Sequence, residues 1–117
     1  MKILANDPSI REWGWAVIQF SGGHCRILET GCIKTRSEHK KRNLRKSDDK
    51  VRRMNKICDA LVDIRNEHDI DWVLSELPHG SQSASASLMI GAVAGISACF
   101  SSCFNIPIEY YSEGDAK

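Results

Sequence analysis

Two apolar stretches, each running into an acid and then a proline, constrain this chain more than anything else in it. Ile3-Leu4-Ala5-Asn6-Asp7-Pro8-Ser9 reads as a buried strand that ends in an aspartate. Trp72-Val73-Leu74-Ser75-Glu76-Leu77-Pro78 reads as a second buried strand, ending in a glutamate. Short apolar, β-rich runs closed by Pro or Gly loops mark strands that stop there. Adjacent strands lie about 5 Å apart, so pairing of these two lets the carboxylates share a divalent metal ion, as in phosphoryl-transfer sites. The competing reading makes Asp7 a turn residue beside Pro8 and Glu76 an ordinary acid at a strand end.

The remaining elements follow from pattern. After a turn at Ser9-Ile10-Arg11-Glu12, residues Trp13 to Phe20 are β-rich, Ser21-Gly22-Gly23 is a hairpin signal, and Cys25 to Ile33 is a third strand with Gly31 as a bulge candidate. Residues 35 to 47 form a polar, basic loop, expected to be mobile without a partner. Ser47 or Asp48 then caps a helix to about Glu67, with Val51, Met54, Ile57 or Cys58, Leu61 and Ile64 or Arg65 at helical spacing. A second helix, Gln82 to Phe104, is dense in Ala, Ser and Gly, with Leu88, Ala92, Gly95 or Ile96, Cys99 and Cys103 along one face. Those small residues permit close approach to the sheet or to a second copy of the chain. Ile106 to Tyr111 is the last strand. The order β-β-β-α-β-α-β predicts an α/β fold: a mixed five-stranded sheet, three antiparallel strands then two parallel, with helices on its faces.

With 117 residues and 42% hydrophobic content, the chain reads as one domain, 1–117, able to bury about two-thirds of its unfolded surface. Five cysteines, an odd number without scaffold spacing, fit a reducing compartment. No run of 18 apolar residues and no signal peptide is evident, so no membrane span and a cytoplasmic location are expected. The net charge is +1, but it is unevenly spread. Residues 34 to 56 hold 11 of the 16 Lys and Arg residues against three acids, so this window carries +8 and the rest −7. Such a block points to a polyanion, although a solvated helix face would look the same. Its candidate phosphate contacts are Lys40, Lys41, Arg42, Arg45, Lys46, Arg52 and Arg53.

Taken together, the Asp7-Pro8-Ser9 and Gly14-Trp15-Ala16-Val17-Ile18 segments, the Gly31-Cys32-Ile33-Lys34-Thr35 strand, Ser75-Glu76 and the small-residue helix resemble the RuvC-type Holliday junction resolvases, within the RNase H-like nuclease superfamily. The Gly80-Ser81-Gln82-Ser83-Ala84 start of that helix is similar to the phage-borne branch. The resemblance implies an RNase H-like fold and a Mg²⁺-dependent endodeoxyribonuclease, with Mn²⁺ as a substitute. The enzyme would nick four-way DNA junctions symmetrically as a homodimer joined through helix 82–104, in a bacterial or phage-infected cell. Asp7 and Glu76 match two of the family's four acids and would be catalytic and metal-ligating. The other two lie on a late helix with no counterpart here, and Glu113 and Asp115 sit too early to replace them. The domain is therefore expected to lack the acid-bearing helix, and a catalytically incomplete junction-binding module is the alternative. His79 stands where the family often places an aromatic that stacks at the junction centre; an exposed loop histidine is the plain alternative.

A zinc site from His24, Cys25, Cys32, Cys99 and Cys103 is disfavoured because no C-x-x-C pair exists; the cysteines are expected to be core filler. Trp13 and Trp15 share a face and are expected to pack the sheet. Asn6 stands where an apolar residue is common and has no evident role. An actin-like nucleotide-binding domain is a distant rival, because Ser9 replaces the glycine its phosphate loop needs.

Overall fold

The computed structural model describes residues 1–112 and Gly114. Three antiparallel strands open the chain: β1 (Lys2–Asp7), β2 (Glu12–Ser21) and β3 (His24–Lys34). Gly22 (φ 57°) and Gly23 (φ 80°) form the two-residue turn between Ser21 and His24. Positive φ at both positions gives the twist that a tight hairpin demands. The irregularity in this pair falls at Val17/Ile18 rather than at Gly31. Gly31 serves another purpose. A Cβ there would come within 2.6 Å of the Trp15 ring, which lies over the glycine backbone.

Helix α1 (Lys46–Glu67) leads to β4 (Trp72–Glu76), and helix α2 (Ala84–Phe104) leads to β5 (Ile108–Tyr111). The strand order is β3-β2-β1-β4-β5, with β1–β4 and β4–β5 parallel. This is the expected mixed sheet, with β1 in its centre. Leu4, Trp13, Val17, Ile33 and Val73 on one face share a core with Ile57, Leu61 and Ile64 of α1 and with Val93, Ile96 and Phe100 of α2. Both helices therefore cover that face. Burying each such aliphatic side chain stabilises the fold by about 1.5–3 kcal/mol.

Local chemistry accounts for the helix limits. Ser83 Oγ accepts from the Ala86 N–H (3.3 Å), and Asn105, left-handed at φ 54°, closes the other end of α2. At α1 the expected caps, Ser47 and Asp48, lie within the first turn of the helix. It starts at Lys46 behind Arg45, which makes no side-chain cap, and Asp48 and Asp49 stand in the first turn, where they favour the helix dipole. The expected α1 row holds apart from Val51, whereas the buried face of α2 differs from the sequence pattern. On α1, Ile57, Leu61 and Ile64 are buried as expected and Val51 is 50% exposed; on α2, Leu88 is 73% exposed because tertiary packing chose Val93-Ile96-Phe100 as the buried row. Helix α2 is also long and apolar enough by composition to cross a membrane, contrary to the sequence reading. Here it packs on the sheet, and its buried face includes Ser97 and Ser101.

Candidate active site

The carboxyl ends of β1 and β4 carry the two acids. Asn6 pairs with Ser75 across the parallel strands, so Asp7 and Glu76 each stand one residue further on. Side chains alternate along a strand. Asn6 and Ser75 face the core, and both acids project from the opposite face. Asp7 is exposed and Glu76 half-buried. On the flanking strands Gly14 pairs with Asp7, and Tyr111 pairs with Glu76. An open depression of about 190 Å³ is lined by Ala5, Asp7, Gly14, Trp15, Ala16 and Tyr111 among others. Burial, then the charges of Glu76 and Asp7, push the Tyr111 phenol above its ordinary pKa. Both carboxylates thus act on one hydroxyl. Tyr111 was not singled out from the sequence, where it is only the last residue of a short strand. The register with Glu76 gives it its place.

The basic block reaches the same end of the molecule. β3 runs towards that end, and Thr35, just after it, is held against the loop that follows Asp7. Its N–H donates to Arg11 O (3.1 Å) and its hydroxyl to Ile10 O (2.5 Å). The loop expected to be mobile is tied to α1. Asp49, 2% exposed, accepts from Arg52 (2.9 Å) and from the Glu38 N–H (3.1 Å). Arg52 also donates to Arg36 O (2.7 Å), and Arg53 to Thr35 Oγ1 (2.9 Å). Burial alone would raise the Asp49 carboxyl. The Arg52 guanidinium, the Glu38 amide and the Ser37 hydroxyl outweigh it and hold the group below the usual carboxylate range.

The seven basic candidates therefore fall into two sets. Lys40, Lys41 and Lys46 are exposed. Arg42 and Arg45 are also exposed and make surface pairs with Glu38 (3.5 Å) and Asp48 (2.7 Å). Such pairs are weak and easily exchanged for phosphate. Arg52 and Arg53 are half-buried, and both bond inward. His79 is exposed in the loop after Glu76.

Other sequence candidates fare differently. Cys25, Cys32, Cys99 and Cys103 are exposed and so are not core filler, whereas Cys58 is half-buried and packs against the core. Burial pushes the Cys58 thiol up. Trp13 is fully buried and Trp15 packs against the core, as expected. Glu113 and Asp115 lie outside the described residues. Among the described residues, the one group of three metal-type ligands is Glu29, Glu67 and His68, away from the acid pair. There His68 Nε2 lies within hydrogen-bond distance (2.9 Å) of Glu29 Oε1. At the acid pair itself, hard carboxylate oxygens on adjacent strands are the donor type that Mg²⁺ or Mn²⁺ takes.

Comparison with known proteins adds to this geometry. The sequence profile of the family "Crossover junction endodeoxyribonuclease RuvC" matches residues 3–117. The RuvC protein of Shewanella sp. (strain W3-18-1) is 29% identical over 115 residues, covering 98% of this chain and 61% of its own length. That of Shewanella frigidimarina is 28% identical over the same length. The chain thus spans about three-fifths of the curated relatives it matches. Among solved structures, T. thermophilus RuvC in complex with a Holliday junction substrate superposes with a TM-score of 0.78 at 16% identity, covering 97% of this chain and 67% of that one. The Aquifex aeolicus Ppx/GppA phosphatase gives 0.55 at 10% identity, covering 97% of this chain and 36% of that one. At these identities the likeness is one of fold.

Proposed function

This chain belongs to the RuvC family of crossover junction endodeoxyribonucleases, and from that premise we propose that it is the junction-cleaving domain of a metal-dependent, homodimeric resolvase. The observation that carries the reading is the Asn6–Ser75 pairing, which sets Asp7 and Glu76 side by side at the end of a parallel strand pair. In this reading Asp7 and Glu76 hold Mg²⁺, for which Mn²⁺ substitutes. When bound, the ion would supply Lewis-acid activation of a water and stabilise the leaving oxygen. Both carboxylates fix its position against the scissile phosphate. Tyr111 lies beside them, with a hydroxyl able to hydrogen-bond a phosphate oxygen.

Lys40, Lys41, Arg42, Arg45 and Lys46 serve as phosphate contacts, which position DNA without reading its sequence. Arg52 and Arg53 support that surface by holding the loop. His79 contributes a stacking surface beside the acids. The dimer forms through α2, on which Leu88, Ala92, Cys99 and Cys103 are exposed. Two symmetric cuts on a two-fold junction need two related sites. Cytoplasm of a bacterial or phage-infected cell is the matching location.

A second reading is a junction-binding module of the same fold that does not cleave. It is favoured by the fact that, among the described residues, no third carboxylate, imidazole or thiol joins Asp7 and Glu76. A four-way junction assay in Mg²⁺ decides. Paired symmetric nicks that disappear in Asp7→Asn, with binding retained, support the resolvase. Junction binding without nicks supports the module, and absence of junction binding overturns both.

A further inference from the structure

Asn6, Trp13, Ser75 and Ser97 form a polar network on the core side of the same rung that carries the acids. Trp13 Nε1 donates to Asn6 Oδ1 (3.2 Å), Asn6 Nδ2 to Ser97 Oγ (3.3 Å), and Ser75 Oγ to Ser97 Oγ (3.0 Å). Asn6 is 3% exposed and the other three are fully buried. The network joins β1, β2, β4 and α2 at one point. Asn6 and Ser75 are themselves the last register pair before Asp7 and Glu76.

We propose that Asn6 is a positioning residue: through Ser97 it locks β1 against β4 in the one register that sets Asp7 beside Glu76. The physical case starts from the strands. Ile3-Leu4-Ala5 faces Trp72-Val73-Leu74, two almost continuous apolar runs. Alternation of apolar and polar side chains, which usually specifies register, is weak in such strands. Buried polar groups supply what the apolar pattern lacks. A slip of β1 against β4 by one residue would break the bridge through Ser97, because Asn6 and Ser75 could no longer both reach it, and unpaired buried polar groups are costly. The same slip would move one carboxylate by about 3.3 Å along the strand. That is more than the 2.0–2.1 Å length of a Mg²⁺–oxygen bond, so the two acids could no longer share an ion. A satisfied network of this kind costs stability relative to apolar packing and in return specifies one arrangement.

The metal part of this inference rests on the reading of Asp7 and Glu76 given above; the register part does not. The test replaces Asn6 by leucine, which is close in shape and apolar, and follows three quantities in the full chain. These are the thermal midpoint, amide hydrogen exchange along β1 and β4, and Mn²⁺ affinity from the electron paramagnetic resonance of the free ion. Expected for Asn6→Leu are a lowered thermal midpoint, because Trp13 Nε1 loses its acceptor in the core, and exchange at the Asn6–Ser75 rung at least about tenfold faster, well beyond any change at the Ile3–Trp72 rung. Mn²⁺ binding should weaken by about 10- to 100-fold, the range for losing a group that supports a metal ligand. Ser75→Ala, which leaves the Asn6–Ser97 bond, should shift exchange and affinity in the same direction by less.

A purely structural network would change all rungs evenly, in step with the midpoint. That outcome, or unchanged exchange at the Asn6–Ser75 rung, overturns the proposal. Should Asn6→Leu fail to fold, Ser75→Ala carries the same exchange test. Should the wild-type chain hold no Mn²⁺ that Asp7→Asn displaces, the metal reading falls. The exchange data then decide the register claim alone.

Discussion

The acid rung and the basic loop stand at the same end of the sheet and are built in opposite ways. Asp7 and Glu76 owe their position to backbone pairing, one rung past Asn6–Ser75. The loop after β3 owes its position to side chains: Asp49, Arg52 and Arg53 of α1 bind Glu38, Arg36 and Thr35. The first arrangement is set by strand register and tolerates little movement. The second is a set of polar clamps that water, salt or DNA can compete for. Charge of one sign therefore has two meanings in this molecule. Lys40, Lys41 and Lys46 are presented to solvent. Arg52 and Arg53, only a few residues away in sequence, hold the presenting loop.

Perturbing the two regions separately should expose that contrast. The largest expected effect comes from the rung: Asp7→Asn or Glu76→Gln reduces junction cleavage to background while gel-shift affinity for the junction is kept. Cleavage at the wild-type rate in either variant would remove the acids from the chemistry. Next, Arg52→Ala leaves the buried Asp49 without its main partner. Exchange of the Glu38 amide should rise by about tenfold or more, as expected for losing a charge-assisted anchor. Exchange at β1 and β4 should not change. Equal protection in the variant would show that Arg52 is not the clamp.

A smaller effect separates presenters from clamps within the basic block. Each lysine that contacts a phosphate contributes about 0.9 to the slope of log affinity against log salt. Lys40→Ala/Lys41→Ala should lower that slope by about 1.8 without altering loop exchange, and an unchanged slope would take both lysines out of the interface. The smallest effect is one of pH. Asp49 titrates below its ordinary 3.8 in the folded chain, so its contribution is present above that value and is lost as pH falls through the folded one. The Glu38 amide should lose protection in that acidic range, ahead of the β1–β4 amides. Simultaneous loss in both regions would mean that the loop and the sheet open as one unit.

Much of the candidate site was legible because its signals are local. An apolar run ending in Asp-Pro or Glu-Leu-Pro marks both a strand and its end, and Gly22-Gly23 marks a hairpin. The residues that were missed or misread depend on partners far away in sequence. Asn6 looked unexplained until Ser97, 91 positions later, was seen to accept its amide. Tyr111 gained its place from pairing with Glu76. Cys99 and Cys103 were expected as filler, yet both are exposed, at the rim of the groove between α1 and α2 that Cys58 and Leu61 also line.

The sequence by itself determined the order of strands and helices, the position of the acids at strand ends and the uneven spread of charge. These follow from hydrophobic period and turn chemistry, which act over a few residues. The tertiary structure alone decided the strand order, the common face of the two helices, and which arginines point inward. It also brought Asp7, Glu76 and Tyr111 together. Those outcomes depend on register and on hydrogen bonds between distant segments, and a buried polar group takes its partner from whichever segment the fold brings within about 3 Å.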